Sequence, residues 1–273
     1  MMLPQLKRIL AFALGLAIVI FASSLTPLHT KSAPTNNLLA QSSALGSIVF
    51  NQPPTPPDKG APGEQSDSGT RRPCDSSENS NQLLSKLVAL VPAIKKQTSP
   101  NSLPETDVWG QTISPHPTLW FYIPASATVA KEAKFVLEDE ENYRSEFPLT
   151  LPTTPGIVSL PLPTTEPALE IGKRYHWSLK IYCETPASPP PKFAVDGWIK
   201  RIEEPSPQPA TPEEQIILYA KQGIWFETLT KLANLHRTSP SPDTTAAWGK
   251  LLEFIGWAQL VKEPILPCCT LEK

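Results

Sequence analysis

The stretch Tyr175-His-Trp-Ser-Leu-Lys-Ile-Tyr-Cys183 decides the fold class, because apolar and polar side chains alternate along it. Successive side chains of a β-strand point to opposite faces, so this strand would bury one face and expose the other. Burial on one side is typical of antiparallel sheets. The buried face would carry Tyr175, Trp177, Leu179, Ile181 and Cys183, and the outer face His176, Ser178, Lys180 and Tyr182.

Further short strands are predicted on both sides of this one, at spacings of about ten residues. Thr118–Ile123 is an apolar run that a strand buried on both faces would explain, and two alternating runs around the polar turn 139–142 predict a β-hairpin. Gly156–Leu162 predicts another strand. A last strand begins at Phe193, and its alternation slips at Gly197-Trp198, where we expect a bulge. We therefore predict a mainly β domain over residues 83–205, an antiparallel β-sandwich of the immunoglobulin or fibronectin kind.

The segment before this domain has a different composition. Residues 25–82 consist mainly of Ser, Thr, Asn, Gln, Gly and Pro, which bury too little apolar area to offset the entropy of ordering them. We predict a disordered linker, part of which (Pro53, Pro54, Pro56 and Pro57) is held extended as polyproline II. Such a stretch is a spacer or a ligand for an aromatic groove. The following run Leu83–Val91 fits either a helix or a strand.

A helical hairpin is predicted for residues 206–273. Thr211-Pro-Glu-Glu214 forms a capping box with proline at the first helical position, and an apolar stripe continues to Leu235. Prolines at 240 and 242 end this helix, and Asp243 or Thr244 would cap a second one. The apolar face of the second helix would consist of Trp248, Leu251, Leu252 and Ile255.

The N-terminus has the pattern of a secretory signal peptide. Two basic residues precede the apolar run Ile9–Phe21, whose 13 residues are too few to span a bilayer. We predict a signal peptide over residues 1–24 with cleavage after Ser24; a weaker site lies before Gln41. The alternative is an uncleaved anchor extended to Leu25, through which alone the protein would contact a membrane. The expected location is periplasmic or extracellular.

Four cysteines in an exported chain indicate disulfide bonding. Cys268 and Cys269 are adjacent, and a bond between neighbours closes a strained ring. We therefore predict a Cys74–Cys183 disulfide, which leaves the vicinal pair reduced or available for intermolecular contacts.

Charge and motif content argue against several classes of function. The formal net charge is −2 and no basic block follows the signal segment, so a nucleic-acid partner is not expected. No ligand spacing for a metal occurs, and no cofactor is expected. The acidic turn 138–141 would be solvated, and His176 and Ser178 lie too far apart on one strand for a catalytic relay with Asp196. We predict that the protein is not an enzyme.

Aromatic side chains are the remaining candidates for ligand contact. The candidates that could stack on a sugar or contact a protein are Trp109, Trp120, Trp198 and Trp225, although packing in the core would also explain them. Trp109 lies in an irregular, proline-rich stretch and is the best candidate for exposure.

A series of short motifs follows in a fixed order along the chain. They are Thr118-Leu-Trp-Phe-Tyr-Ile-Pro124, Phe135-Val-Leu137, Thr154-Pro-Gly-Ile-Val-Ser-Leu160, Gly172-Lys-Arg-Tyr-His-Trp177, Cys183, Gly197-Trp-Ile-Lys-Arg201 and Gly223-Ile-Trp225. This order of motifs resembles the cyanobacterial domain-of-unknown-function family 928, and the resemblance extends from about Gly69 to Cys269. It implies a cyanobacterial envelope or secreted protein, and it implies no catalytic residues.

The expected function is that of an exported, non-enzymatic envelope protein that acts as a protein-binding adaptor or scaffold. The alternative is a carbohydrate-binding module for cell-wall or sheath glycans. The expected partner is an envelope or secreted protein, or a glycan in the alternative.

Overall fold

The computed structural model describes residues 44–56, 61–67, 74, 84–97, 104–141, 143–184, 191–206, 209, 211–267, 269 and 271. The predicted signal peptide, its cleavage sites and Cys268 lie outside these residues.

The described part of the chain is mainly β, with nine strands, three α-helices, two short 3₁₀ helices and a helical turn at residues 44–46. The strands are β1 (Val88–Ala89), β2 (Ala93–Lys96), β3 (Glu105–Thr112), β4 (Thr118–Ile123), β5 (Glu132–Glu138), β6 (Arg144–Pro148), β7 (Gly156–Pro161), β8 (Arg174–Tyr182) and β9 (Phe193–Arg201). The helices are α1 (Pro212–Gln222), α2 (Trp225–Thr238) and α3 (Pro242–Phe254), and the 3₁₀ helices are Ala125–Ala127 and Ala258–Lys262.

The strands form two sheets. One has three strands in the order β1-β4-β7, and the other has six in the order β2-β3-β9-β8-β5-β6. The prediction of a mainly β fold with helices at its C-terminal end is confirmed at this level. Among the described pairs, β3 and β9 run parallel, which the expected antiparallel arrangement did not include. These two strands are far apart in the chain, so no hairpin fixes their relative direction.

Aromatic side chains from the two sheets meet in one core. The ring of Phe121 in β4 lies 5.7 Å from that of Trp177 in β8 and 6.4 Å from that of Phe135 in β5, and both contacts are edge to face. Such pairs contribute about 0.5–1.5 kcal/mol beyond the area they bury. The side chain of Trp177 is fully buried, as the alternation in β8 predicted.

The predicted hairpin is formed by β5 and β6, in a register that places Phe135 opposite Phe147. Asp139 stabilises the turn, because its carboxylate accepts hydrogen bonds from the backbone N–H groups of Glu141 and Tyr143, each at 2.9 Å.

The prediction of a bulge in β9 is wrong. The register with β8 is continuous, with Gly197 opposite Trp177 and Trp198 opposite His176. Gly197 occupies an inward position, and a Cβ there would lie 2.7 Å from both Trp177 Cζ2 and the Val108 carbonyl oxygen. The apolar pattern is interrupted because this inward position has no room for a side chain, and the alternation itself does not slip.

The C-terminal part contains three helices instead of the predicted two. Gly223 ends α1 in the left-handed conformation, at φ +74°, and α2 starts two residues later. The apolar stripe predicted as one helix from Thr211 to Leu235 therefore belongs to two.

The predicted capping box at Thr211 and Glu214 is present at the start of α1. The cap of α3 differs from the prediction, because Ser241 holds the N-cap and Thr244 the third helical position. The hydroxyls of these two residues reciprocally bond the backbone N–H groups, at 3.1 and 2.8 Å.

The prediction of a disordered linker over residues 25–82 is wrong for the residues of that range that the structure describes. Residues 44–56 and 61–67, here called the strap, lie against the sheets and helices. Leu45, Ile48 and Phe50 are 2, 5 and 6% exposed. The composition of the whole segment concealed these few apolar anchors, which are enough to dock a segment onto a core that already exists.

Both edges of the three-stranded sheet are covered by segments near the ends of the described chain. Ser66 of the strap forms a bridge with Val88 in β1, and Ile265 forms one with Ile157 in β7. The run Leu83–Val91, which periodicity left undecided, thus contains a short strand.

No helix in the part of the chain that the structure describes is long and apolar enough to cross a membrane.

Candidate functional site

The tryptophans predicted as ligand contacts lie in different environments, and Trp225 is fully buried. Trp109 is 5% exposed in β3, so the prediction that it is the most exposed candidate is wrong, because the strap covers it. Trp120 in β4 is 2% exposed, and its Nε1–H donates to Thr230 Oγ1 at 2.9 Å. Trp198 in β9 is half-buried, and its Nε1–H donates to the carbonyl oxygen of Ala61 in the strap at 2.9 Å.

Trp109 and Trp198 lie side by side. They are register partners in the parallel pair of β3 and β9, so both side chains are on the same face of the six-stranded sheet. Trp225, at the start of α2, lines the same small space as Trp109 and Pro53. We call Trp109, Trp198 and Trp225 the aromatic groove. The sequence named all three as candidates but could not place them together, because the pairing of β3 with β9 is non-local.

The strap enters this groove through Phe50. The Phe50 ring lies 4.9 Å from the ring of Trp225, edge to face, and 5.1 Å from the ring of Phe254 in α3. Asn51 fixes the position of the chain, since its backbone N–H donates to the Ala220 carbonyl at 3.0 Å. The strap is therefore anchored on the helices before it reaches its prolines.

Two prolines of the strap lie against the groove. Pro53 packs on Gly223, where a Cβ would lie 2.5 Å from the proline ring. Pro56 borders Trp109 and Trp198. A proline-rich segment against tryptophan rings is one of the two roles that the sequence left open for this stretch.

The strap fills the groove closely. The space left between Pro56, Trp109 and Trp198 has room for at most about one water molecule, and the space between Pro53, Trp109 and Trp225 has room for none. Arg174 also lines the space near Pro56, and its guanidinium lies 5.3 Å from the Trp198 ring.

Hydrogen bonding in the groove is incomplete, although the space is filled. Trp109 Nε1, Gln52 Nε2 and Thr55 Oγ1 are buried, and none has a hydrogen-bond partner among the described residues. A buried polar group without a partner costs about 1–3 kcal/mol. The contact between strap and groove is thus tight at its apolar anchors and poorly matched in its polar atoms.

The second half of the strap is held by backbone hydrogen bonds. Gly63 N–H donates to the Thr106 carbonyl at 2.9 Å, and Asp196 N–H donates to the Glu64 carbonyl at 3.0 Å. The carboxylate of Asp196 accepts in return from Glu64 N–H at 3.3 Å. Asp196 therefore links the strap to the outer face of the sheet.

The same carboxylate contacts a histidine. His176 Nε2 lies 2.9 Å from Asp196 Oδ2, and its Nδ1 lies 3.3 Å from Glu138 Oε1. Burial lowers the pKa of His176, but hydrogen bonds to the two carboxylates outweigh it and raise the pKa above the ordinary value. The imidazole also lies 4.9 Å from the ring of Trp198. His176 thus contacts both residues that hold this part of the strap, since Asp196 bonds Glu64 and Trp198 bonds Ala61.

The acidic turn is more structured than predicted. Lys173 Nζ lies 2.8 Å from Asp139 Oδ2, whose side chain is only 4% exposed, and 3.1 Å from Glu141 Oε2. Arg174 pairs with Glu140 at 2.6 Å. These carboxylates face cations of the chain itself. Among the described residues, no group of three or more His, Cys, Asp or Glu is placed to hold a metal ion.

Sequence reasoning missed one buried carboxyl group, Glu227 in the first turn of α2. Its Oε1 accepts from Thr112 Oγ1 at 2.6 Å and from Ser114 N–H at 3.1 Å. Burial raises the pKa of Glu227, which these hydrogen bonds only partly oppose. These hydrogen bonds join α2 to the end of β3, and no local sequence pattern predicts them.

The predicted disulfide Cys74–Cys183 is present, between residues separated by 109 positions. Cys269 is also disulfide-bonded, and no described cysteine is free. The alternative in which Cys269 stays reduced is therefore wrong. Disulfides of this kind indicate an oxidising environment.

Comparisons with known proteins give one match. A family model described as Domain of Unknown Function (DUF928) matches residues 66–265, which include all nine strands and three helices described above. No curated protein and no solved structure matches the chain. The family match begins near the end of the strap, so most of the strap lies outside it.

Proposed function

We propose that this chain, which belongs to the DUF928 family, is an exported, non-enzymatic protein-binding adaptor of the cell envelope. It is exported through its N-terminal segment into the periplasm or beyond, in a cyanobacterium as the family resemblance implies. The disulfide Cys74–Cys183 supports this location, because such bonds persist in oxidising compartments.

The observation that carries the proposal is the aromatic groove with a proline-rich strap across it. Grooves lined by aromatic rings bind extended proline-rich segments in several classes of adaptor domain. Here Pro53 and Pro56 of the chain itself lie against Trp109, Trp198 and the start of α2. The fold therefore contains the elements of a protein–peptide contact.

Exposed apolar side chains support the same location for the binding surface. Val49 is 68% exposed and Phe254 is 41% exposed, and both adjoin the anchor Phe50. Large apolar side chains that are left in solvent beside a groove favour contact with a protein partner.

A carbohydrate-binding module is the second candidate function. With the strap docked, Trp109 and Trp120 are enclosed and only the partly exposed ring of Trp198 is accessible to a sugar. The proline-rich strap against Trp109 and Trp198 is the observation that favours a peptide ligand over a glycan.

The test is photo-crosslinking in the producing cells, with the crosslinking residue placed at Val49. Val129, which is 48% exposed in the connection between β4 and β5, is the matched control position. We expect a discrete adduct with an envelope protein from position 49 and not from position 129.

Two results would contradict the proposed function. The first is the same set of adducts, or none, from both positions. The second is recovery of the intact chain from the cytosol with its N-terminal segment attached and its cysteines reduced.

A further inference from the structure

We propose that the aromatic groove is a binding site for an extended, proline-rich segment of a partner protein, which displaces residues 51–56 of the strap. This inference rests on the proposed function, and it names the ligand class and the site. The strap then acts as the intramolecular occupant of a site built for a ligand from another chain.

The shape of the groove fits proline rings. Trp109 and Trp198 are neighbours in register on one face of the sheet, and the fully buried Trp225 lines the space beside Trp109 and Pro53. Two adjacent indole side chains offer apolar surface for the proline rings of a polyproline II segment. The chain itself places Pro53 and Pro56 there, which shows directly that the groove accepts this chemistry.

The way the strap is held favours a ligand of this kind. Between Asn51 and Pro56 the single backbone-to-backbone hydrogen bond among described residues is the one from Asn51 N–H to Ala220. Contact with the rings, and not pairing with a strand, therefore positions this stretch. A segment in which proline removes the N–H donors loses little in such a site, and its stiffness reduces the entropy lost on binding.

The groove contains a hydrogen-bond donor that the strap does not use. The indole Nε1–H of Trp109 is buried and has no acceptor among the described residues. Gln52 and Thr55 of the strap each bring a further buried polar atom without a partner. A ligand that places a carbonyl oxygen at Trp109 Nε1, and lacks polar side chains at the positions of Gln52 and Thr55, would match the groove better than the strap does.

Competition with the strap has to be overcome in any test. A tethered segment acts at an effective concentration of the order of millimolar, so a free peptide competes poorly with it. A protease site inserted into the full chain between Pro57 and Gly60 solves this, because cleavage after folding converts the strap into an exchangeable segment.

The experiment measures the fluorescence anisotropy of a dye-labelled peptide with the sequence of residues 50–56, added to the cleaved chain. The control peptide has alanine at Pro53, Pro54 and Pro56 and keeps Phe50, so the two peptides differ only in their prolines. We expect the control to bind at least tenfold more weakly. An unrelated peptide with alternating prolines and no polar side chain at the position of Gln52 should bind at least as tightly as the native one.

Protein variants assign the binding to the groove. Trp198→Ala is expected to weaken binding of the native peptide at least tenfold, while Trp198→Phe, which keeps a ring, should retain most of it. Val129→Ala is the surface control and should have no effect. If Trp198→Ala does not fold, Trp198→Leu takes its place, because it removes the ring and keeps an apolar side chain, and it should weaken binding to a similar extent.

Three outcomes would overturn the inference: equal binding of the proline-free peptide, unchanged binding to Trp198→Ala, or dimerisation of the cleaved chain that closes the groove with the strap of a second copy. Failure here is distinguishable from failure of the proposed function. An adduct at Val49 with an envelope protein that binds without a proline-rich segment would leave the adaptor function standing and remove this ligand class.

Discussion

Gly197 lies in β9 opposite Trp177, and the space around it admits no side chain. A Cβ would lie 2.7 Å from Trp177 Cζ2 and from a backbone oxygen of Val108. We expect Gly197→Ala to lower the free energy of unfolding by about 1–3 kcal/mol, because either the ring or the strand must move. Urea unfolding followed by tryptophan fluorescence measures this.

Gly249 in α3 provides the control for this substitution. A Cβ there meets only Val261 Cγ2, at 3.6 Å, which is an ordinary contact. Gly249→Ala should therefore raise the free energy of unfolding by about 0.5–1 kcal/mol, as expected for a helix interior. Destabilisation by both substitutions would show that the space around Gly197 does not explain its effect.

His176 makes stability depend on pH. Its pKa is raised in the folded protein by Asp196 and Glu138, which outweigh the effect of burial. The protonated imidazole thus contributes stability that is fully present below its unfolded pKa of about 6.5, and that is lost as the pH rises through the higher folded pKa. We expect the unfolding free energy of the wild type to fall over this range more than that of His176→Gln.

Urea titrations of both proteins between about pH 6 and pH 9 give the difference curve. Burial lowers the pKa of His236, whose effect on stability has the opposite sign, but it titrates in both proteins and cancels in the difference. Parallel curves would contradict a role of His176 as a titrating link between Asp196 and Glu138.

Two features of the structure favour glycine at position 223, and a pair of substitutions can separate their effects on stability. It ends α1 at φ +74°, and the ring of Pro53 lies 2.5 Å from the position of a Cβ. Gly256, after α3, has nearly the same conformation, at φ +82°, but open space around it. An alanine at either position would destabilise the fold by about 1–2 kcal/mol, because an L-residue is strained in the left-handed region. Only Gly223→Ala would also push the strap away.

We therefore expect Gly223→Ala to be the more destabilising of the two, and to accelerate hydrogen exchange of the Asn51 amide, which bonds Ala220 at 3.0 Å. Gly256→Ala should leave that exchange rate unchanged. Equal exchange in the two variants would show that the strap does not depend on close approach to the end of α1.

The elements that the sequence predicted correctly carry their signal locally. The alternation in β8, the β5–β6 hairpin with its polar turn and the capping box at Thr211 each lie within one continuous stretch, the longest of which is the hairpin from Glu132 to Pro148. The parallel pair of β3 with β9 was not predictable in this way. Its partners Trp109 and Trp198 come from distant parts of the chain, and only the folded sheet brings them into register.

The strap was missed for a different physical reason. Average composition over residues 25–82 indicates too little apolar surface for independent folding. A segment that docks onto an existing core needs only a few anchors, here Leu45, Ile48 and Phe50, and averaging hides them. The disulfide was predictable, because with two adjacent cysteines at the C-terminus the remaining pair was Cys74 and Cys183.

That disulfide joins the chain just beyond the strap to the end of β8. It closes a loop between residues 109 positions apart, so it restricts the unfolded chain strongly. We expect the double variant Cys74→Ala, Cys183→Ala to lose about 2–5 kcal/mol of unfolding free energy. Calorimetry with and without reductant provides the control, since reductant should destabilise the wild type far more than the double variant.

Phe50 tests whether the strap is a unit that can leave while the rest of the molecule stays folded. Its ring contacts Trp225 and Phe254, and its truncation to alanine removes a buried aromatic contact worth about 3 kcal/mol or more. The observed loss cannot exceed the docking free energy of the strap, because an undocked strap has nothing further to lose. We expect Phe50→Ala to release residues 44–56 to limited proteolysis while the thermal transition of the sheets persists.

The exposed neighbour Val49 provides the matched control. Val49→Ala should change neither the proteolysis of residues 44–56 nor the thermal transition. Cooperative unfolding of the whole chain in Phe50→Ala would instead make the strap an inseparable part of the core, and an exchangeable groove occupant would then be excluded on stability grounds alone.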